Sequence, residues 1–119
     1  IGLNQGAEDE TVEDQGVTTR FFSTSPTTSE SMSKPALVEL LEPTSEDTPI
    51  GRFLAKKGPG VQQICFRVGD LEGLIAHRMA NDMVMIDEEP RMGAGGKRIA
   101  FVHPKSTGGV LVELTENPR

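Results

Sequence analysis

The sequence predicts an α+β fold made of paired β-α-β-β-β modules, the first of them incomplete. Two observations carry this. From residue 61 onward the order of periodic segments reads strand, helix, strand, strand, strand, with glycine-rich turns between the last ones. The pattern LVEL-x-E also occurs twice, at Leu37–Glu42 and at Leu111–Glu116, each time closing a stretch of strands. A repeat of this kind points to two copies of one unit.

Taken in order, residues 1–16 are acidic and bear glycine, with Glu8, Asp9, Glu10, Glu13 and Asp14 clustered, and read as a solvated strand or tail. Val17–Phe22 has the composition of a short strand. From Ser23 to Ser33, eight of eleven residues are Ser or Thr, so this stretch cannot build a core and reads as a loop. Ala36–Leu41 is an aliphatic strand with Glu39 at its centre, ended by Pro43. Asp47-Thr48-Pro49 supplies a capping side chain and a first-turn proline for a short helix that Gly58 stops.

Val61–Val68 alternates, with Gln63, Cys65 and Arg67 on one side and Gln62, Ile64, Phe66 and Val68 on the other. Asp70 caps a second helix with the apolar stripe Leu71, Leu74, Ile75 and Met79. Further strands are expected over Met83–Ile86, Arg98–His103 and Val110–Thr115. Turns fall at Gly93–Gly96 and Lys105–Gly109. The resulting division is a reduced N-terminal half-module (1–48, with the Ser/Thr-rich loop at 23–33), a linking helix (49–60) and a full module (61–116), together one domain. The first copy shows no opening strand and helix, so an N-terminal strand is expected to be missing.

Composition narrows the function classes. The net charge of −6 argues against a nucleic-acid binder. Residues 1–48 carry ten acidic against two basic residues, and residues 49–119 eight against ten, so the C-terminal part suits an anionic ligand. No apolar run approaches the length of a membrane span. With 35% hydrophobic and 4% aromatic residues the core must be aliphatic and small, which favours stabilisation by a partner.

Glu39 and Glu113 stand mid-strand among aliphatic neighbours at equivalent places of the repeat. Paired semi-buried carboxylates imply a shared proton or cation. Oxygen donors suit Mg²⁺, Mn²⁺ or Co²⁺-like ions, and Gln63 offers a third oxygen. Lys97 and Lys105, each beside a glycine cluster, are candidates for substrate phosphates. Cys65 reads as a packing residue, His103 as a turn residue and His77 as a solvated helix residue.

Three stretches resemble a known family. Val38–Leu54 (ELLEPTSEDTPIGRFL after its Val) and Asp87–Glu116 (DEEPRMGAGGKRIAFVHPKSTGGVLVELTE) are similar to segments of the methylmalonyl-CoA epimerases, of the vicinal-oxygen-chelate or glyoxalase-like superfamily. VEDQGV at Val12–Val17 is similar to that family's acidic strand. The resemblance implies two modules curling a sheet around a divalent metal that chelates the substrate's thioester carbonyl and carboxylate. It further implies a carboxylate base that takes the C2 proton and a second acid that returns it. Carried over, Glu113 matches the C-terminal ligand, Glu39 the corresponding position of the first module, and Glu13 the base.

Two departures follow from the same match. Where the family has a His-His pair this chain has Gln62-Gln63, and the histidine-bearing first strand has no counterpart. The expectation is a vestigial metal site of Glu39, Gln63 and Glu113, with no cofactor held. The protein is expected to be a non-catalytic structural or accessory subunit, in a homodimer or a larger mitochondrial assembly. An active metal-dependent epimerase and an acyl-CoA binding module are the alternatives, and the cytoplasm is the alternative compartment.

Overall fold

The computed structural model describes residues 3–6, 8–24 and 35–118. Most of the Ser/Thr-rich stretch expected to form a loop lies outside the described residues. The chain forms two compact units, Ile1–Pro59 and Gly60–Arg119.

In the first unit β1 (Asn4–Gln5), β2 (Glu10–Val12), β3 (Val17–Ser23) and β4 (Leu37–Pro43) make one antiparallel sheet, followed by α1 (Pro49–Lys57). β3 is the organising strand: β1 and β2 pair along one side of it and β4 along the other, with Phe21 opposite Glu39. Val17 and Thr19, alternate residues of β3, are buried. The acidic strand implied over Val12–Val17 is instead a turn. Glu13–Gln15 forms a 3-10 turn closed by Gly16, whose N–H donates to the Glu13 carbonyl at 3.1 Å. Gly16 has φ 66, and a Cβ there would come within 2.4 Å of the Thr48 methyl, so only glycine makes this reversal. Thr48 caps α1 by accepting from the Gly51 N–H at 3.1 Å, Pro49 occupies the first turn, and Gly58 ends the helix, as the sequence predicts.

The second unit holds β5 (Gln63–Arg67), α2 (Leu71–Ala80), β6 (Arg91–Met92), β7 (Arg98–Val102) and β8 (Leu111–Glu116). Its sheet order is β5-β8-β7-β6, with β5 and β8 parallel and the other pairs antiparallel. Asp70 caps α2 through the Gly73 N–H at 2.9 Å. The helix lays Leu71 and Ile75 against Ala100, Val102, Leu114 and Met85, and these six residues are the core. Met79, expected in the stripe, is 40% exposed and lies outside the buried cluster.

The strand expected over Met83–Ile86 is reduced to a single bridge, Met85 to Val102. A side chain takes the place of the ladder: the Asp87 carboxylate accepts the Phe101 N–H at 2.8 Å, a donor that a continuing strand would otherwise use. Pairing resumes four residues later in the two-residue β6, which the sequence pattern does not reveal.

One polar cluster fixes the helix to the sheet. Glu116 is buried, accepts from the Leu71 N–H at 3.4 Å and pairs with Arg98 at 3.0 Å, while Arg98 also reaches Glu72 at 2.6 Å. No described helix is long and apolar enough to cross a membrane.

Candidate functional site

Strand alternation divides the second sheet into a helix-covered face and an open one. Val112, Leu114 and Glu116 point to α2, so Leu111, Glu113 and Thr115 point to the opposite side. In register with Glu113 stand Cys65 on β5 and Phe101 on β7, forming a row across three strands. Gln63 lies two residues before Cys65 on this face, and its amide Nε2 donates to Glu113 Oε2.

Glu113 is half-buried. That burial pushes its carboxyl above the usual glutamate range, against the Gln63 hydrogen bond and the positive charges of Lys97 and Arg91, which pull it partly back. A carboxyl so placed holds its proton longer than a surface glutamate, which is the property a general acid–base group needs. Lys97 follows the 3-10 turn Ala94–Gly96, where Gly95 and Gly96 both have positive φ. Arg91 comes from β6; its Nε reaches Asp87 Oδ1 at 3.1 Å, and its guanidinium lies 5.2 Å from the centre of the Phe101 ring.

The structure thus brings together Gln63, Glu113 and Lys97 of the expected site residues. Lys105 sits in the 3-10 turn after β7, which His103 caps by accepting the Lys105 N–H at 3.1 Å. Among the described residues no hydrogen bond or ion pair joins Lys105 to Glu113. Glu39 is exposed at the centre of β4, and Glu13 is exposed in the turn before β3. Cys65 is exposed rather than packed, on β5, the outermost strand of its sheet. Arg91 and its partner Asp87 escaped the sequence reading. The only signal was two opposite charges four residues apart around Pro90, in a segment without a helical pattern.

The donors of the second unit do not fit a tightly held first-row metal. They are one carboxylate and one amide, and that amide has its N–H₂ turned to the carboxylate. The positive charges of Lys97 and Arg91 also repel a cation from the same place. Among the described residues no three His, Cys, Asp or Glu side chains cluster. Gln63 offers an amide where first-row ions prefer imidazole.

Residues 2–101 match the sequence model of the Glyoxalase/Bleomycin resistance protein/Dioxygenase superfamily, which sets the class. Within it, an ethylmalonyl-CoA/methylmalonyl-CoA epimerase of Cereibacter sphaeroides is 39% identical over 121 residues, covering 98% of this chain and 81% of that protein. The mitochondrial methylmalonyl-CoA epimerase of Dictyostelium discoideum is 44% identical over 81 residues, which is 66% of this chain and about half (48%) of the relative. A methylmalonyl-CoA epimerase solved in complex with methylmalonyl-CoA and NH₄⁺ is 36% identical. It covers 92% of this chain and 74% of its own, with a TM-score of 0.70. The chain belongs to the methylmalonyl-CoA epimerase family of the glyoxalase superfamily, and its fold is the α+β fold of that group.

Proposed function

We propose that this protein binds a 2-carboxyacyl-CoA thioester on the open face of its second sheet and turns it over poorly, as a binding or accessory member of the epimerase family. The observation that carries this is the hydrogen bond from the Gln63 amide to Glu113. It ties up the carboxylate where the resemblance implies a histidine and a metal. The parts that remain suit recognition. Arg91 and Lys97 supply positive charge for an anionic acyl group, and Glu113 holds a proton beside them. Inverting C2 requires acid–base groups on both sides of that carbon, and Glu113, whose carboxyl burial raises, offers one of them.

The test combines calorimetry of methylmalonyl-CoA binding with NMR of deuterium uptake at its C2 in D₂O. Binding with uptake at the uncatalysed background is expected. Fast uptake that Glu113→Gln abolishes would favour the second reading, an active epimerase, which the raised Glu113 carboxyl supports. Gln63→His should raise Co²⁺ retention through dialysis at least tenfold, since imidazole replaces an amide.

An accessory role includes association, as a dimer or in a larger assembly. Ile64 and Phe66, 42% and 53% exposed on the outermost strand of the second unit, support it. A folded, monodisperse monomer at micromolar concentration in sedimentation would overturn that part. The mitochondrial setting draws on the mitochondrial relatives, and the bacterial relative matched over more of the chain supports the cytoplasmic alternative.

A further inference from the structure

The geometry points to Arg91 as the residue that recognises the ligand's 2-carboxylate, a role that rests on the acyl-CoA reading above. Three contacts prepare it. Asp87, whose side chain is 16% exposed, is anchored to β7 because one oxygen accepts the Phe101 N–H at 2.8 Å. Its other oxygen takes Arg91 Nε at 3.1 Å. The Phe101 ring then supports the guanidinium from below, at 5.2 Å from its centre. With Nε and one face engaged, the flat fork is held in orientation before any ligand arrives, so little side-chain entropy is lost on binding.

The terminal nitrogens of Arg91 make no ion pair among the described residues, and they present the planar, two-pronged donor set that a carboxylate matches. Position supplies the rest. Arg91 is opposite Ile99, and Ile99 and Phe101 are alternate residues of β7 on the face that carries Glu113. Phe101 is the direct partner of Glu113. A carboxylate seated on Arg91 therefore lies on the same face as the Glu113 carboxyl, which feels the Arg91 charge across β7, with C2 one bond away from that carboxylate. The guanidinium supplies the charge neutralisation that the resemblance assigns to a metal. Lys97, a strongly hydrated point charge after a glycine turn, lacks both the supporting ring and the anchoring carboxylate among the described contacts.

The experiment is calorimetric titration of the full chain with methylmalonyl-CoA and with propionyl-CoA, which is the same thioester without the 2-carboxylate. The unsubstituted protein should prefer the carboxylated ligand by about tenfold or more, the scale of one charge-assisted pair of hydrogen bonds. Arg91→Met should weaken methylmalonyl-CoA alone and bring the two affinities together. Arg91→Lys, which keeps the charge but loses the fork, should retain only part of the preference and keep a cooperative melt. The assignment is overturned if Arg91→Met keeps the preference, if it weakens both thioesters equally, or if Arg91→Lys retains the preference in full. Failure of the unsubstituted protein to bind either thioester removes the acyl-CoA reading and this role together. Equal binding of both removes the role of Arg91 alone.

Discussion

The two LVEL-x-E strands share five of six letters and differ in what surrounds them. In β8, which lies between β5 and β7 under a helix, Leu114 is 7% exposed, Glu116 is 3% exposed and Glu113 is half-buried. In β4, which pairs with β3 alone among the described strands, Leu40 is 54% exposed and Glu39 and Glu42 are exposed. The same side chains thus become core, ion-pair anchor and acid–base candidate in one place, and surface in the other. Alternation tells which residues share a face; the number of neighbouring strands decides whether that face is a site.

The largest test of this contrast is in the two leucines. Leu114→Ala should cost about 2–5 kcal/mol by urea denaturation, since it opens a cavity among Leu71, Ile75 and Ala100. Leu40→Ala should stay within about 0.5 kcal/mol, as an exposed substitution does. Equal losses would mean that β4 is covered in solution, and the comparison would fail.

The glutamates that close the two LVEL-x-E patterns give the next effect. Glu116→Gln removes the charge that holds Arg98 and weakens the cap on Leu71, at a cost of about 1–3 kcal/mol in the same measurement. Glu42→Gln, on the exposed strand, should change stability by less than about 0.5 kcal/mol.

The smallest effect is a slope. Because burial raises the Glu113 carboxyl, the folded chain binds more protons than the unfolded one between the ordinary glutamate range and the raised value. Stability from this group is therefore full below the ordinary range and is lost as pH rises through the raised value. Glu113→Gln should flatten that part of the profile, so thermal melts of the variant should gain on the parent as pH rises from about 4 towards neutrality. An unchanged profile would show that Glu113 is solvated like its counterpart in β4.

Much of this was readable from residues. The caps at Thr48 and Asp70, the stop at Gly58 and the glycine turns are local chemistry, and each stands where the sequence places it. The strand over Met83–Ile86 was misread because Asp87 uses its side chain on a backbone donor of a strand 14 residues away, which no local pattern encodes. Cys65 reads as packing because no neighbour in the sequence would activate its thiol, yet it stands exposed on the outermost strand of its sheet. Of the expected metal set Glu39, Gln63 and Glu113, the structure joins Gln63 to Glu113 by a hydrogen bond. The sequence could not show that the amide would donate to the carboxylate, nor that Arg91 would be braced by a ring from β7.

The parallel pairing of β5 with β8 has a consequence for the birth of the chain. Gln63 meets Glu113 across 50 positions of sequence, and every residue between them must be synthesised before the two strands can touch. During translation β5 emerges first, followed by α2, β6 and β7, and β5 waits with Ile64 and Phe66 uncovered. Closure comes only when the last strand leaves the ribosome, so the second unit assembles late and in one step, after the slow search that distant contacts impose. Until then the nascent protein is a client for any chaperone that recognises an apolar strand.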